Sequence, residues 1–256
     1  MKVFLSALEN AQASGKNAKS VAQLLIEKNI KMNFNLMSFY YIKGKIDLAR
    51  MIRDNSKEIL IDSGAHSFQK GKKVDWDKYT EQYAEFIKKF DKPNVIGYFE
   101  MDVDNIIGYE KVRELREKLE KVSDKIIPVW HKNRGIEEYK KMCKDYERKI
   151  IAITGFKNED IKDEQYLMFL KYAKKYRCKV HCLGMTRRKV LDKVPFDYVD
   201  SSSWVQSTVY GRIDGKGKVT KEMSRNNREV VFIENYKTGM KIQEHYYKKW
   251  KKICND

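Results

Sequence analysis

The stretch EILIDSGAHSF, residues 58–68, carries a short apolar run directly into an aspartate and then into small residues. A run of this length that is rich in Ile and Leu is typical of a buried strand. Asp62, Ser63 and Gly64 together form good turn chemistry, because Asp accepts hydrogen bonds from the following backbone and Gly adopts positive φ readily. Taken alone, Asp62 is therefore best interpreted as a turn or helix cap.

Seven further apolar runs repeat this pattern, and amphipathic segments of helical period follow most of them. With EILIDSG (58–64), the runs are KVFLSAL (2–8), FNLMSFYYI (34–42), NVIGYFEMD (94–102), KIIPVWH (125–131), KIIAITGF (149–156), KVHCLGM (179–185) and FDYVDSSSW (196–204). Eight alternating strand and helix units in 256 residues match a TIM barrel, so we predict a single-domain (β/α)8 fold over residues 1–256. A doubly wound open sheet is the main alternative, but it often begins with a glycine-rich turn, and the first turn here is ALENAQASGKN.

The predicted helices lie between these runs, at 18–29, 45–54, 75–90, 109–122, 136–146, 163–176 and 187–194. After the last run, the glycines of YGRIDGKGKV predict a short β-hairpin over residues 210–220. The basic segment that follows predicts a C-terminal helix over residues 236–256.

The composition is strongly basic, since 53 Lys and Arg against 36 Asp and Glu give a net charge of +17. An excess of this size indicates a polyanionic partner, most simply nucleic acid. A lysine-rich surface without any such partner is the alternative. The sequence has no apolar segment of membrane-spanning length, and its N-terminus lacks the features of a signal peptide. We therefore expect a cytoplasmic protein with no membrane partner.

The cysteines are Cys143, Cys178, Cys182 and Cys254, and we expect them to stay reduced in that compartment. Cys178 and Cys182 flank His181 in CKVHC, but on a strand the histidine points to the opposite face from both cysteines. This arrangement does not suit zinc, and the chain has no CxxC pair. We predict no metal site and no cofactor.

Ionisable residues lie at the ends of four of the eight runs, where the active site of a TIM barrel forms. The third run ends in Asp62, the fourth in Glu100, Asp102 and, just beyond, Asp104, and the fifth in His131. The eighth contains Asp197 and Asp200, while Gly155 and Gly184 close two further runs. Each has a structural interpretation as a cap, a loop histidine or a tight turn. Several carboxylates on one rim nevertheless repel one another, and such sites shift pKa values for acid–base chemistry.

Two facing carboxylates also indicate a reaction class, the retaining displacement at a sugar C1′. One carboxylate forms a covalent glycosyl-enzyme, and the other protonates the leaving group and then deprotonates the incoming one. A third carboxylate can accept hydrogen bonds from the donor edge of a purine. The basic charge suggests that the sugar belongs to a nucleic acid.

These strand ends resemble motifs of the tRNA-guanine transglycosylase family. IDSGAHSF resembles its DSGGFQ motif, VHCLGM its YLMGVG segment, and FDYVDSSSW its DMFD segment. IPVWH, IAITGF and GYFEMDVD fall where the family has VQG, AVGG and an Asp-Glu pair, and YGRIDGKGKV is similar to its SGRNGQ hairpin. The matches occur in order over about residues 58–220.

The resemblance implies a base exchange in which guanine leaves and a 7-deazaguanine derivative enters. It implies that Asp200 is the nucleophile at C1′ and that Asp62 is the general acid and base. The implied substrate-binding residues are Asp102, His131, Gly155, Gly184, Ser63, Gly64, His66 and Leu183. Asp102 would bind the donor edge of the base, while His131, His66 and Leu183 replace a glutamine, a stacking aromatic residue and a stacking methionine of the family.

The largest departure from the family follows residue 220. The tRNA enzymes carry a zinc subdomain there, whereas this chain has EMSRNNREVVFIENY and then the basic helix. A shorter, zinc-free and basic member resembles the phage-type 7-deazaguanine DNA transglycosylases, which implies DNA as the partner. Exchange on tRNA of the queuosine or archaeosine type, a nucleic-acid-binding barrel without turnover, and an N-glycoside hydrolase remain alternatives. The candidate nucleic-acid contacts are Arg187, Arg188, Arg212, Lys216, Lys218 and Trp204, together with Lys248, Lys249, Lys251 and Lys252.

Overall fold

The computed structural model describes residues 1–12, 19–68, 74–155, 161–213, 216–219 and 227–254. Its main sheet is built from eight parallel strands that alternate with helices. The strands are β1 (Lys2–Ser6), β2 (Met32–Ser38), β3 (Ser56–Asp62), β4 (Val95–Phe99), β5 (Ile126–Ile127 and Val129–Trp130), β6 (Ile150–Thr154), β7 (Lys179–Leu183) and β8 (Tyr198–Ser201).

Strand β5 closes the sheet into a barrel. Its first segment pairs with β4 and its second with β6, and the remaining neighbours follow in the order β4, β3, β2, β1, β8, β7, β6. Pro128 separates the two segments, since proline has no N–H to donate to a sheet. The carbonyl of Pro128 still accepts from the N–H of Ala152 at 2.9 Å. The predicted (β/α)8 barrel is confirmed.

The helices surround this barrel. They are α1 (Val21–Glu27), α2 (Phe39–Ile42), α3 (Ile46–Asp54), α4 (Trp76–Phe90), α5 (Asp104–Ile107), α6 (Tyr109–Glu120), α7 (Gly135–Asp145), α8 (Tyr166–Lys175), α9 (Arg188–Leu191), α10 (Ser203–Val209) and α11 (Arg228–Cys254). Short 3-10 turns occupy Leu8–Asn10, Ala65–Phe68 and Lys132–Arg134, and β9 (Arg212–Ile213) pairs antiparallel with β10 (Gly217–Lys218).

Every predicted run overlaps a strand and every predicted helix overlaps a helix, although most bounds differ by a few residues. Three differences matter most. Residues 39–42 of the second run form α2 rather than strand, residues 203–204 of the eighth begin α10, and the C-terminal helix begins at Arg228, eight residues before the predicted start at 236. The predicted hairpin is confirmed in β9 and β10, while residues 18, 156, 214, 215, 220, 255 and 256 of the predicted elements lie outside the described residues.

Alternation along the strands divides the apolar side chains between the barrel interior and the surrounding helices. The interior cluster is formed by Phe4, Phe34, Leu36, Leu60, Phe99, Ile127, Val129 and Ala152. Val3 and Leu5, the chain neighbours of Phe4, lie in two separate clusters that pack against helices. Asp62 lies two residues after Leu60, on the same face of β3. The alternation that turns Leu60 into the barrel interior therefore also turns the Asp62 carboxylate toward the mouth of the barrel.

Helix α11 spans the barrel from one end to the other. Asn235 near its start donates to the carbonyl of Arg212 in the hairpin, at 2.8 Å. At its far end, the carbonyl of Cys254 accepts from the ammonium of Lys179, the first residue of β7, at 3.1 Å. The lysines of its last two turns, 248, 249, 251 and 252, therefore lie near the N-terminal ends of the strands, away from the active-site end. Their position does not favour a role beside the active site, and their contact with nucleic acid stays a prediction. No helix among the described residues combines the length and the apolar character needed to span a bilayer.

Candidate active site at the barrel mouth

Three aspartates converge where the strands end. Asp62 is the last residue of β3, Asp200 lies in β8, and Asp102 follows β4. Burial raises the pKa of Asp62 to about 7, and the charges of Asp102 and Asp200 add to this effect. The N–H of Gly64 donates to Oδ2 of Asp62 at 3.1 Å and partly offsets the shift. A carboxyl group with this pKa exchanges its proton near neutral pH, as a general acid and base must.

Three neighbouring groups hold the carboxylate of Asp200. Its Oδ1 accepts from the N–H of Gly184 at 2.9 Å and lies 2.9 Å from Nε2 of His181. Its Oδ2 accepts from the hydroxyl of Ser6 at 3.4 Å. Gly184 has φ +63, and a Cβ there would meet no atom within 4 Å, so glycine serves the backbone turn that aims this N–H.

His181 was missed as a site residue by the sequence analysis, which considered it only as a zinc ligand. Its imidazole is fully buried (0% exposed) inside the barrel, against the rings of Phe4 and Phe99. Within the described part of the chain, its Nδ1 has no hydrogen-bond partner. We therefore assign the ring proton to Nε2, which donates it to Asp200. Two signals were available: the alternation that turns residue 181 inward, and Gly184 three residues later.

Asp102 is held by a basic pair. Nε2 of His131 lies 2.6 Å from Oδ1 of Asp102, and Nη2 of Arg134 lies 3.9 Å from the same oxygen. The resemblance placed Asp102 and His131 together at the base, and the structure does bring them together. Arg134 and the buried Glu100 complete the arrangement, and their pairing could not be predicted from the sequence.

The ion pairs beneath Asp102 are almost fully buried. Arg134, whose side chain is 2% exposed, contacts Asp104 at 3.0 Å and Glu100 at 3.1 Å. Arg116 lies 3.4 Å from the second oxygen of Glu100. Burial raises the pKa of Glu100 even against these two charges. Burial is also the largest effect on Asp104, but Arg134, Asn133 and His131 together outweigh it and lower the pKa of that carboxyl group. Removing one partner of such a network leaves an uncompensated buried charge, so the network fixes the position of its members.

Asp102, Asp104 and His131 place potential metal-ligand atoms within 4.8 Å of one another. Oxygen and imidazole ligands of this kind suit several divalent ions. Both carboxylates, however, already contact the guanidinium of Arg134. An ion would compete with that buried charge, so we assign the cluster to the positioning of Asp102, and the absence of a metal site stays a prediction.

Gly155 and Gly64 are required by close packing. A Cβ on Gly155 would lie 2.8 Å from Sγ of Cys182, and one on Gly64, which has φ +72, would lie 2.4 Å from Cβ of Tyr40. The N–H of Gly155 donates to the carbonyl of Leu183 at 2.8 Å, and its carbonyl accepts from Arg187 at 2.7 Å. The resemblance implies that Gly155 binds the substrate, and a glycine can do so only through its backbone; in this conformation both of its backbone groups are engaged within the protein.

The remaining predicted substrate-binding residues lie around the same rim. Ser63 is buried, and its carbonyl accepts from the hydroxyl of Tyr79 at 2.7 Å. His66 is exposed in the 3-10 turn that follows β3. Leu183 is half-buried at the end of β7, against the barrel interior.

One of the predicted nucleic-acid contacts, Trp204, is wrong, and a second, Arg187, is already engaged within the protein. Trp204 is 1% exposed in the apolar core, and its indole N–H donates to the carbonyl of Ser6 at 2.9 Å, so it cannot stack on a base. Arg187 is engaged by Asp163 at 2.8 Å and by the carbonyl of Gly155. Its guanidinium therefore joins two loops of the barrel.

The other predicted contacts, Arg188, Arg212, Lys216 and Lys218, are exposed. Of these, Lys216 lies 3.4 Å from Glu234 at the start of α11. These four positions stay candidates for phosphate contact.

Comparison with known proteins bears on the fold. No family model matches the chain, and no curated protein sequence matches it. A solved structure from Coccidioides immitis, provisionally described as a fructose-1,6-biphosphate aldolase, matches 95% of this chain and 89% of that chain. Its TM-score is 0.57 at 10% sequence identity. At that identity the likeness shows the (β/α)8 fold alone.

Proposed function

We propose that this protein is a pentosyltransferase that replaces guanine in DNA with a 7-deazaguanine derivative. One observation carries the proposal: Asp62, with a pKa of about 7, shares the barrel mouth with Asp200, whose carboxylate is held by three neighbouring groups. A titrating acid beside an oriented carboxylate is the pair that a retaining displacement at a sugar carbon requires. The motif resemblance supplies the choice of guanine and of the incoming base.

The first half of the reaction forms a covalent intermediate. An oxygen of Asp200 attacks C1′ of the deoxyguanosine nucleotide, the glycosidic C–N bond breaks, and Asp62 gives its proton to the departing base. His181 and the N–H of Gly184 keep the Asp200 carboxylate aimed at the sugar. After this step Asp62 is an anion, and Asp200 is an ester of the sugar.

The second half reverses these roles. Asp62 takes the proton from the ring nitrogen of the incoming base, and that nitrogen attacks C1′ as the ester bond to Asp200 breaks. The nucleic acid then carries the new base, and both aspartates return to their starting states. A pKa near neutral suits Asp62 to both directions of proton transfer.

Asp102 is the group that we propose reads the base. Its carboxylate is held through Oδ1 by His131 and Arg134, so it is fixed before a base arrives. An ionised carboxylate accepts hydrogen bonds and donates none, which selects the amino and ring N–H edge of guanine-like bases. His131 in place of the family's glutamine is the residue most directly placed to alter which 7-deazaguanine is accepted.

The polymer is proposed from the charge of +17 and from the exposed cations Arg188, Arg212 and Lys218. In duplex DNA the target nucleotide must leave the base stack to reach the barrel mouth, at a cost of about a few kcal/mol. The same chemistry on tRNA is the second candidate, favoured by the family resemblance itself.

A base-exchange assay tests the proposal. The protein is incubated with duplex DNA, single-stranded DNA or tRNA together with each of several 7-deazaguanines, and the nucleosides are quantified by mass spectrometry. We expect new nucleoside in DNA with wild type, none with Asp200→Asn, and wild-type yield with Asp197→Asn, a matched change on the same chain segment at the other end of the barrel. Exchange confined to tRNA would transfer the proposal to that polymer. Loss of guanine without an incoming base would indicate a hydrolase, and no change in any polymer would overturn the proposal.

A further inference from the structure

Glu9 is a buried carboxyl group that the proposed reaction does not use. It lies in the 3-10 turn Leu8–Asn10, directly after β1, and is 1% exposed. Its Oε1 accepts from the backbone N–H of Ser38 at 3.1 Å. Its Oε2 is buried and has no hydrogen-bond partner among the residues described. A carboxylate in this setting is costly, because one of its oxygens has lost water and gained no donor.

Ser38 connects Glu9 to Asp62. In the pairing of β2 with β3, Ser38 stands directly opposite Asp62. Its hydroxyl also packs against the turn that follows Asp62, since a Cβ on Gly64 would lie 2.6 Å from Ser38 Oγ. Ser38 therefore donates its backbone N–H to Glu9, and its side chain contacts the turn that follows Asp62.

Glu9 and Asp62 also interact through their charges. Burial raises the pKa of Glu9 to about 7, the backbone N–H of Ser38 opposes this, and the charge of Asp62 adds to it. The other charged group that acts on Glu9 is Lys45, which lowers its pKa. Asp102 and Asp200 act on Asp62 from the other side of the mouth. Two interacting carboxyls that titrate in the same range lose their protons in coupled steps.

We propose that Glu9 is a positioning residue for Asp62: its carboxyl group holds the backbone at the end of β2, beside Asp62, and acts on that neighbouring acid. This rests on the proposed function, in which Asp62 becomes an anion after protonating the departing base. A protonated Glu9 adds no second negative charge beside Asp62 when Asp62 has given up its proton. When Glu9 ionises at higher pH, its charge makes the anionic form of Asp62 less stable, so Asp62 keeps its proton to a higher pH than it would alone.

Direct titration of the side chains tests this without any substrate. The intact protein, labelled with 13C at its carboxyl carbons, is titrated by NMR, and Asp62 and Glu9 are assigned from the spectra of Asp62→Asn and Glu9→Gln. In wild type we expect both groups to titrate near neutral pH. In Glu9→Gln, which keeps an acceptor for the N–H of Ser38, we expect the midpoint of Asp62 to fall by about one pH unit. Asp62→Asn lowers the midpoint of Glu9 reciprocally.

The control is Asp197→Asn. Asp197 is also a carboxylate that accepts from a strand N–H, that of Val180 at 2.8 Å, but it lies at the opposite end of the barrel. We expect it to leave the titration of Asp62 unchanged. An Asp62 midpoint in folded Glu9→Gln equal to that of wild type would overturn the inference. So would a Glu9 that titrates in the ordinary carboxyl range in wild type, a result that needs no variant to fold.

Activity gives a second and separable readout. Where exchange occurs, Glu9→Gln should keep a kcat near that of wild type at the optimum and move the alkaline limb of the pH profile to lower pH, by the same interval as the NMR midpoint of Asp62. An unmoved limb contradicts the inference. Absence of exchange in every polymer would end the proposed function, and the titrations would still decide the role of Glu9.

Discussion

At the scale of single residues, Asp62 combines a functional pKa with a cost in stability. Its pKa is about 7 in the folded protein against 3.8 for an ordinary aspartate. The folded state therefore binds more protons between these two values, and stability falls as pH rises through that window. Asp62→Asn removes this fall in stability with rising pH, because the amide does not titrate. We expect its unfolding free energy to exceed that of wild type by on the order of 2–4 kcal/mol at pH 8, and the difference to vanish near pH 4.

Urea unfolding of both proteins from pH 4 to pH 8 measures this difference. Asp163→Asn is a control of opposite sign, since hydrogen bonds from Lys189 and Arg187 lower the pKa of Asp163. That carboxylate stabilises the fold above its unfolded pKa, and its contribution is lost as pH falls. A stability difference for Asp62→Asn that does not change with pH would show that Asp62 is not the titrating group.

His181 gives a second prediction at this scale, because its effects on activity and on stability should separate. His181→Phe removes the donor to Asp200 but keeps a ring among Phe4, Phe99 and Tyr198. We expect kcat for exchange to fall roughly 10²-fold with KM little changed, since the aim of the nucleophile is lost while the base contacts remain. The melting temperature should not fall, because the unpartnered Nδ1 is removed as well.

Steady-state kinetics with thermal unfolding checks this. Cys182→Ala is the matched change on the opposite face of β7, and we expect it to lower stability and leave kcat unchanged. A His181→Phe enzyme with full kcat would mean that Gly184 and Ser6 alone position Asp200.

At the scale of elements, α11 holds the first two strands together. Val3 and Phe34 lie below the paired part of β1 and β2, which joins Leu5 to Asn35 and Ser6 to Leu36. Gln243 of α11 donates its side-chain amide to the carbonyls of both residues, at 2.9 Å to Val3 and at 2.7 Å to Phe34. We expect Gln243→Ala to lower the unfolding free energy by about 2–4 kcal/mol, because two buried carbonyls each lose a donor.

Chemical denaturation measures this cost. The control is Glu244→Ala, which removes only an exposed ion pair with Lys248 on the same helix and should change stability by less than about 0.5 kcal/mol. Equal effects of the two substitutions would show that α11 contributes through its apolar face alone.

The strands and helices also show which parts of the fold can be predicted from the sequence. The eight strands were predictable because parallel strands buried on both faces form short apolar runs. Residues 39–42 were assigned to strand because a short apolar run does not distinguish a buried strand from a buried helix. Trp204 and Arg187 were placed at the surface because the sequence shows that they follow strand ends, whereas their burial depends on loops far away in the chain. The ion pairs of Arg134 with Glu100 and Asp104 arise from barrel closure, which no local pattern encodes.

At the scale of the whole molecule, the charge of +17 should act mainly at the active-site end. Each phosphate contact lowers the slope of log K against log salt by about 0.9 for duplex DNA. We expect Arg188→Glu, Arg212→Glu and Lys218→Glu each to weaken binding and to make that slope shallower by about 1. Lys251→Glu and Lys252→Glu, at the opposite end, should change neither quantity. Fluorescence anisotropy across a salt series measures both, and equal effects from the two ends would contradict an oriented interface.

The central claim is that Asp200 forms a covalent bond to C1′ while Asp62 transfers the proton, and trapping the intermediate tests it most directly. The protein is mixed with guanine-containing DNA or tRNA in the absence of an incoming base, denatured rapidly, digested and analysed by mass spectrometry. The account predicts a sugar-linked peptide carrying the modification on Asp200, absent in Asp200→Asn and present at wild-type level in Asp197→Asn. Base exchange that proceeds at full rate in Asp200→Asn, or an adduct on any other residue, would contradict it.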